Sequence, residues 1–388
     1  MTNNKYISDV VKNIPPSGIR KFFDLVTNSR DIISLGVGEP DFVTPWTVRK
    51  EAIDVLDRGA TTYTSNLGLP ELREAVSFFL KNHYGLNYDP EKEIMITVGA
   101  SEAIDLALRC LINDGDEVLV PVPSYVSYSP CIELTRGVPV YVPTYEENNF
   151  IITPDDLKSK ITSKTKALIL PYPNNPTGAI MKKEDLEAIK DIIIEHDLIV
   201  ISDEIYSELT YDGKHVSIAS LPDMKERTIV LNGFSKAFAM TGWRLGYIAA
   251  EHSFIEAMNK IHQYTTICAP IMAQYAGIKA IYECEDDIEK MRKTYDQRRR
   301  LIVNGFREIG FDCFEPKGAF YIFPSIKKTG LSSQEFCERL LKEEKIAVVP
   351  GNAFGPGGDG FIRVSYAYSI DKIMKALERI ESFAKRVL

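Results

Sequence analysis

The chain lacks the usual marks of a secreted, metal-binding or nucleic-acid-binding protein. Its six cysteines, Cys110, Cys131, Cys268, Cys284, Cys313 and Cys337, are scattered, and none forms a Cys-x-x-Cys pair. That spacing suits neither a zinc site nor a disulfide framework, so free thiols in a reducing compartment are expected, and no metal. No basic run stands out, and a formal net charge of -8 with a pI near 5.4 opposes a nucleic-acid or membrane-surface partner. No apolar run approaches the length of a membrane span. Met1 to Ile14 is polar and mixed in charge, without the apolar centre of a signal peptide. Internal repeats and low-complexity tracts are also missing. A cytoplasmic protein is the expectation. What remains, 45% hydrophobic and 26% charged residues over 388 positions, is enough for a large core and two domains.

The most informative stretch is Asn232-Gly233-Phe234-Ser235-Lys236-Ala237-Phe238-Ala239-Met240-Thr241-Gly242-Trp243-Arg244-Leu245-Gly246. A lysine among small residues, sunk in a pocket, loses preference for its charged form and becomes a nucleophile able to condense with an aldehyde. Arg244 keeps its charge and offers a flat fork of donors suited to a phosphate. An aldehyde carrying a phosphate would use both. Read alone, a lysine in such a loop is more often a solvated surface group.

Elsewhere, apolar runs end in short polar motifs. Ile94 to Gly99, Glu117 to Val122, Ala167 to Leu170, Leu198 to Ser202, Thr228 to Leu231 and Gly246 to Ala250 read as strands, the continuous runs as strands buried on both faces. Helices are expected over Glu102 to Leu111 and Lys183 to His196. Between the first strand and its helix, Gly99-Ala100-Ser101 reads either as simple capping, with Ser101 as N-cap, or as an anion seat. Past the second strand stands Tyr125, either a core tyrosine or a stacking platform for a flat ring. Asn174-Asn175-Pro176-Thr177-Gly178 is a turn by composition. Asp203 closes an apolar strand, where a carboxylate needs a partner. Gly36 to Phe42 is a Gly/Pro corner containing Gly38. Tyr63 precedes a helix start at Gly68-Leu69-Pro70. A helical stretch from Asp286 to Glu308 leads to strands at Gly318 to Phe323, Ile346 to Pro350 and Phe361 to Tyr366, then a helix from Ile370 to Arg386. Arg363 sits mid-strand among apolar residues, as a structural ion pair or an anion grip.

In order and content these motifs resemble those of the class I/II pyridoxal-phosphate (PLP) aminotransferases, and they cover nearly the whole chain. The resemblance implies an α/β fold of fold type I, with a large domain (45–285) around a mainly parallel seven-stranded sheet. A smaller α/β domain would be built from both chain ends (1–44 and 286–388). It implies Lys236 as the residue that bonds the cofactor and shuttles the proton, Asp203 facing the pyridine nitrogen, and Asn175 and Tyr206 on the ring's 3-oxygen. Tyr125 would lie on the ring. Ala100, Ser101, Ser235 and Arg244 would hold the phosphate together with Tyr63 from the partner of a homodimer. Gly38, through its backbone N–H, Asn175 and Arg363 would bind the substrate, an amino acid or 2-oxo acid, with 2-oxoglutarate as the expected acceptor. Some members carry a phosphate-binding serine three residues before the lysine, where this chain has Gly233, so Ser235 is less directly supported than Arg244.

Several segments look most like N-acetyl-diaminopimelate aminotransferases and their aspartate- and aromatic-using neighbours. Arg20 is the one candidate for a distal carboxylate. A β-lyase or a cyclopropane-carboxylate-type synthase shares the fold and cofactor and stays open as an alternative. A PLP-dependent regulator does not, because about forty residues before the first substrate motif are too few for a DNA-binding helix pair.

Overall fold

The structure is a computed structural model and describes residues 3–16, 18 and 31–388. Arg20 lies outside the described residues. The strands are β1 (Ile33–Ser34), β2 (Ile94–Thr97), β3 (Glu117–Val122), β4 (Val138–Pro143), β5 (Thr165–Leu170), β6 (Ile199–Asp203), β7 (Thr228–Gly233), β8 (Gly246–Ala249), β9 (Tyr321–Ile322), β10 (Ile346–Ala347), β11 (Val349–Pro350) and β12 (Ile362–Ser365).

Seven of them form one sheet in the order β2-β8-β7-β6-β5-β3-β4. All its pairs are parallel except those made by β8, which runs against both β2 and β7. Alternate residues of the central strands face opposite layers. Val118, Val120, Ile169, Ile201, Ile229 and Ile248 pack towards Ala103, Leu106 and Ala107 of the helix Gly99–Leu111. Leu119, Leu168, Leu170 and Val200 pack the other way, against Leu186, Ile189 and Ile193 of the helix Lys183–Glu195. Helices on both faces leave no polar side, which explains the unbroken apolar runs.

The edge strand β4 was not expected. It carries Pro139 and Pro143, is mostly half-exposed, and proline is tolerated only where a ladder donor can be spared. The helix Gly99–Leu111 begins three residues earlier than the pattern suggests, so Ser101 lies inside its first turn and is not the N-cap. Val98 takes that position, and the Glu102 carboxylate accepts from its N–H at 2.5 Å.

Towards the C-terminus, the helix Glu285–Ile309 leads to a three-stranded antiparallel sheet, β11-β12-β9, and the final helix Ile370–Val387. β1 pairs in parallel with β10, which ties the early chain to this C-terminal part. Leu35 shares the hydrophobic cluster that includes Phe306, Phe336, Ile362 and Phe383.

Candidate active site

A cavity of about 840 Å³ opens where the parallel strands end, the usual ligand position in such sheets. Its lining includes Gly38, Ala100, Ser101, Tyr125, Asn175, Asp203, Tyr206, Ser235, Lys236, Arg244 and Arg363, so the fold gathers eleven of the sequence candidates at one place. Tyr63 is not among them: it is 79% exposed and lines no part of this cavity.

Lys236 sits in the turn after β7, and its Nζ donates to the Gly38 carbonyl at 2.6 Å. This bond uses the Gly38 carbonyl and leaves the substrate role that the resemblance implies for the Gly38 N–H as it stands. Burial lowers the ammonium pKa to about 8; Glu39 opposes that shift, while Arg363 and Arg244 add to it. A fraction of neutral amine is therefore present near neutral pH, as a nucleophile or base requires. A Cβ at Gly233 would meet Gly246 Cα at 3.0 Å, so the tight approach of β7 to β8 favours glycine there.

Asp203 ends β6 and is 6% exposed. Its Oδ2 accepts from Tyr128 Oη at 2.8 Å and its Oδ1 from the Ile205 N–H at 3.3 Å. Burial pushes its carboxyl upward against those two hydrogen bonds, and among the described residues it has no ion-pair partner. A buried carboxylate without a cation is costly unless a positive donor comes to it. The neighbouring Glu204 is buried too, and its Oε1 accepts from the Ser202 and Ser217 hydroxyls at 2.8 and 2.6 Å.

Arg363, in β12, is 2% exposed. Its Nη1 donates to Asn175 Oδ1 at 2.9 Å and its Nη2 to the Gly36 carbonyl at 2.5 Å. Since Asn175 uses its oxygen here, its Nδ2 remains as a donor. Among the described residues, the buried Arg363 Nε has no hydrogen-bond partner. Arg244 has a left-handed backbone, φ 54 and ψ 56, and donates from Nη1 to the Thr241 carbonyl at 2.9 Å. It lies against the start of the helix Gly99–Leu111, where a Cβ on Gly99 would come within 2.7 Å of Arg244 Nη2. The first N–H groups of that helix have no partner within it, and with the guanidinium they make an anion seat.

The lining therefore fits PLP on its own chemistry. An uncompensated carboxylate stands ready for a ring N–H, a depressed lysine for an aldehyde, and a helix N-terminus with Arg244 for a phosphate. Among the lining residues that sequence reasoning did not single out, three carry polar groups that the site uses: Glu39, Tyr128 and Tyr321. Tyr128 lies three positions past Tyr125, and Tyr321 is the polar-tipped aromatic of an otherwise apolar strand; those were the available signals.

Comparison with known proteins agrees with the geometry. The family described as Aminotransferase class I and II matches residues 30–380. An aspartate aminotransferase from Pyrococcus abyssi is 52% identical over 378 residues, covering 97% of each chain. Aromatic-amino-acid aminotransferase 2 of Thermococcus litoralis is 49% identical and covers 98% of both. The crystal structure of an aromatic aminotransferase from Pyrococcus horikoshii superposes with a TM-score of 0.91 at 49% identity, over 95% of this chain and 99% of that one. With 52% and 49% identity over nearly full length, the chain belongs to the class I and II aminotransferases, PLP-dependent enzymes that move an amino group between an amino acid and a 2-oxo acid.

Proposed function

We propose that this aminotransferase takes its amino group from aspartate or an aromatic amino acid and passes it to 2-oxoglutarate, in the cytoplasm, as a homodimer. The relatives' substrates support the donor class, and the observation that carries the residue assignments is the position of Lys236 within one cavity with Asp203, Arg244 and Arg363. The domain division proposed is 45–285 against 1–44 with 286–388, supported by the pairing of β1 with β10.

PLP, when bound, supplies an aldehyde for the amino group and a ring into which electrons from the broken Cα–H bond can spread. Arg244, Ser235, Ala100 and Ser101 would hold its phosphate. Asp203, oriented by Tyr128 and the Ile205 N–H, would keep the ring nitrogen protonated. Asn175 Nδ2 and Tyr206 Oη would be the donors to the 3-oxygen, and Tyr125 would cover the ring. Arg363, steadied by Asn175 and the Gly36 carbonyl, grips the substrate α-carboxylate beside Gly38. Lys236 would be the residue that bonds the cofactor, and its Nζ, with a pKa of about 8, is suited to hold and move the substrate's Cα proton.

Support for the dimer comes from the Tyr63 loop. It is tethered rather than loose, since the buried Gln274 binds Thr64 Oγ1 at 3.0 Å and the Leu69 N–H at 2.7 Å. Tyr63 is nevertheless exposed and does not line its own chain's cavity, and Val43, Trp46 and Tyr264 are also well exposed. Partner subunits mixed as Lys236→Ala with Tyr63→Ala should regain activity through the one intact site of each hybrid; no rescue refutes the exchange. The substrate reading is tested by adding single amino acids to the yellow holoenzyme and following the visible band. Aspartate or aromatic donors should bleach it and yield the matching 2-oxo acid. Bleaching by neither, or ammonia release without transfer, would overturn the reading.

A further inference from the structure

Behind Tyr206 stands a second tyrosine. Tyr321, in β9, is 1% exposed, and its Oη lies 2.8 Å from Tyr206 Oη, either atom able to donate. The same ring lies 4.5 Å from the Arg363 guanidinium, close enough for a cation–π contact. Its hydroxyl also sits where a Cβ on Gly38 would collide with it. One side chain thus touches the carboxylate grip, the glycine corner and the hydroxyl proposed for the ring's 3-oxygen.

A proton count decides which way the tyrosine pair points. Each phenol has a single proton. Burial pushes both hydroxyls upward from the ordinary phenol range, so both stay protonated at neutral pH. If Tyr206 gives its proton to the 3-oxygen, it can only accept from Tyr321. Among the described residues Tyr321 Oη has no other hydrogen-bond partner, so its proton has no competing destination. The charged and titratable groups around the pair are Arg363, Lys236, Glu39 and Tyr125.

We propose that Tyr321 is a positioning residue for amino-group transfer: it donates to Tyr206 Oη, so that the Tyr206 proton is directed at the cofactor, while its ring backs the Arg363 fork. This rests on the assignment of Tyr206 as a donor to the 3-oxygen. A hydroxyl that accepts one hydrogen bond gives a stronger one, by about 10–30%. The two tasks are separable, because phenylalanine keeps the ring and loses the proton.

The test uses holoenzyme and reads the pH midpoint of its visible band together with the KM for the amino-acid donor. A less well held anionic oxygen retains a neighbouring proton more strongly, so the midpoint moves up when a donor is lost. Tyr206→Phe should raise it most. Tyr321→Phe should raise it by about 0.2–0.6 pH unit and leave KM within about twofold. Tyr321→Leu should show the same rise and a KM about tenfold higher, as the fork loses its backing. The double variant Tyr206→Phe/Tyr321→Phe should match Tyr206→Phe alone, since Tyr321 acts through Tyr206; a thermal melt of each variant confirms folding. A flat response to Tyr206→Phe sinks the Tyr206 assignment itself. A response to Tyr206→Phe with none to Tyr321→Phe, or two shifts that add in the double variant, sinks the relay alone.

Discussion

Two arginines serve one cavity and are held in opposite ways. Arg363 is buried, bonded to Asn175 and the Gly36 carbonyl, and packed between the rings of Tyr321 and Phe354 at 4.5 and 5.0 Å. Arg244 is exposed at the edge of the cavity, with a single carbonyl for a partner and no ion pair among the described residues. The first is oriented by the protein itself; the second keeps most of its donors free, as the proposed phosphate anchor would need. An amino acid bound at the wrong angle breaks the wrong bond, so the group that sets substrate orientation has to be rigid. A phosphate needs only an anchor, and a helix N-terminus shares that work.

The hardest blow to this contrast is Arg363→Lys. A single ammonium cannot reproduce the fork and leaves Asn175 Oδ1 and the Gly36 carbonyl short of donors, at a cost of about 3–4 kcal/mol. Steady-state kinetics should show kcat/KM lower by a few hundred-fold for every donor. A loss below tenfold would mean that the burial of Arg363 is structural only. Next in size is the cofactor-free Lys236→Met. The native ammonium pKa, about 8, lies below the ordinary 10.5, so folding is penalised fully below pH 8, and the penalty fades as pH rises from 8 to 10.5. Removing the charge should therefore stabilise the apoprotein by about 1–3 kcal/mol at pH 7 and by almost nothing at pH 10.5, read from urea melts at both values. Equal effects at both pH values would show that the two arginines and burial do not act on Lys236.

The same contrast separates what the sequence disclosed from what it hid. Strands β3, β5, β6 and β7 were readable because both faces are buried and the apolar runs are continuous; β4 was not, because an edge strand with Pro139 and Pro143 loses that pattern. Lys236, Arg244 and Asn175 stand in dense local motifs. Tyr128 and Tyr321 act on partners 75 and 115 residues away, so their roles are tertiary facts that no short window contains. The start of the helix Gly99–Leu111 was misplaced for a related reason: Glu102, not a residue before the helix, satisfies the Val98 N–H, and Gly99 at the first position is a poor helix former that masks the start.

Smaller effects are expected at the cavity edge. Arg244→Lys keeps the charge beside the helix N-terminus and loses only the fork, so PLP affinity of the apoprotein, by fluorescence titration, should fall about tenfold, and more at high salt. A loss as deep as that of Arg363→Lys would erase the distinction between the two arginines.

The smallest change belongs to Glu39, the one carboxylate that opposes the arginines at Lys236 while itself exposed. Its interaction with the ammonium is screened by water, so Glu39→Gln should lower the Lys236 pKa only slightly. The readout is the pH dependence of amine modification in the apoprotein: the midpoint should move down from about 8, and the movement should shrink as salt is raised. A salt-independent shift would instead place Glu39 in direct, water-free contact with the lysine. The cavity would then have a second rigid charge opposite Arg363, and rigidity would no longer distinguish the substrate end from the phosphate end.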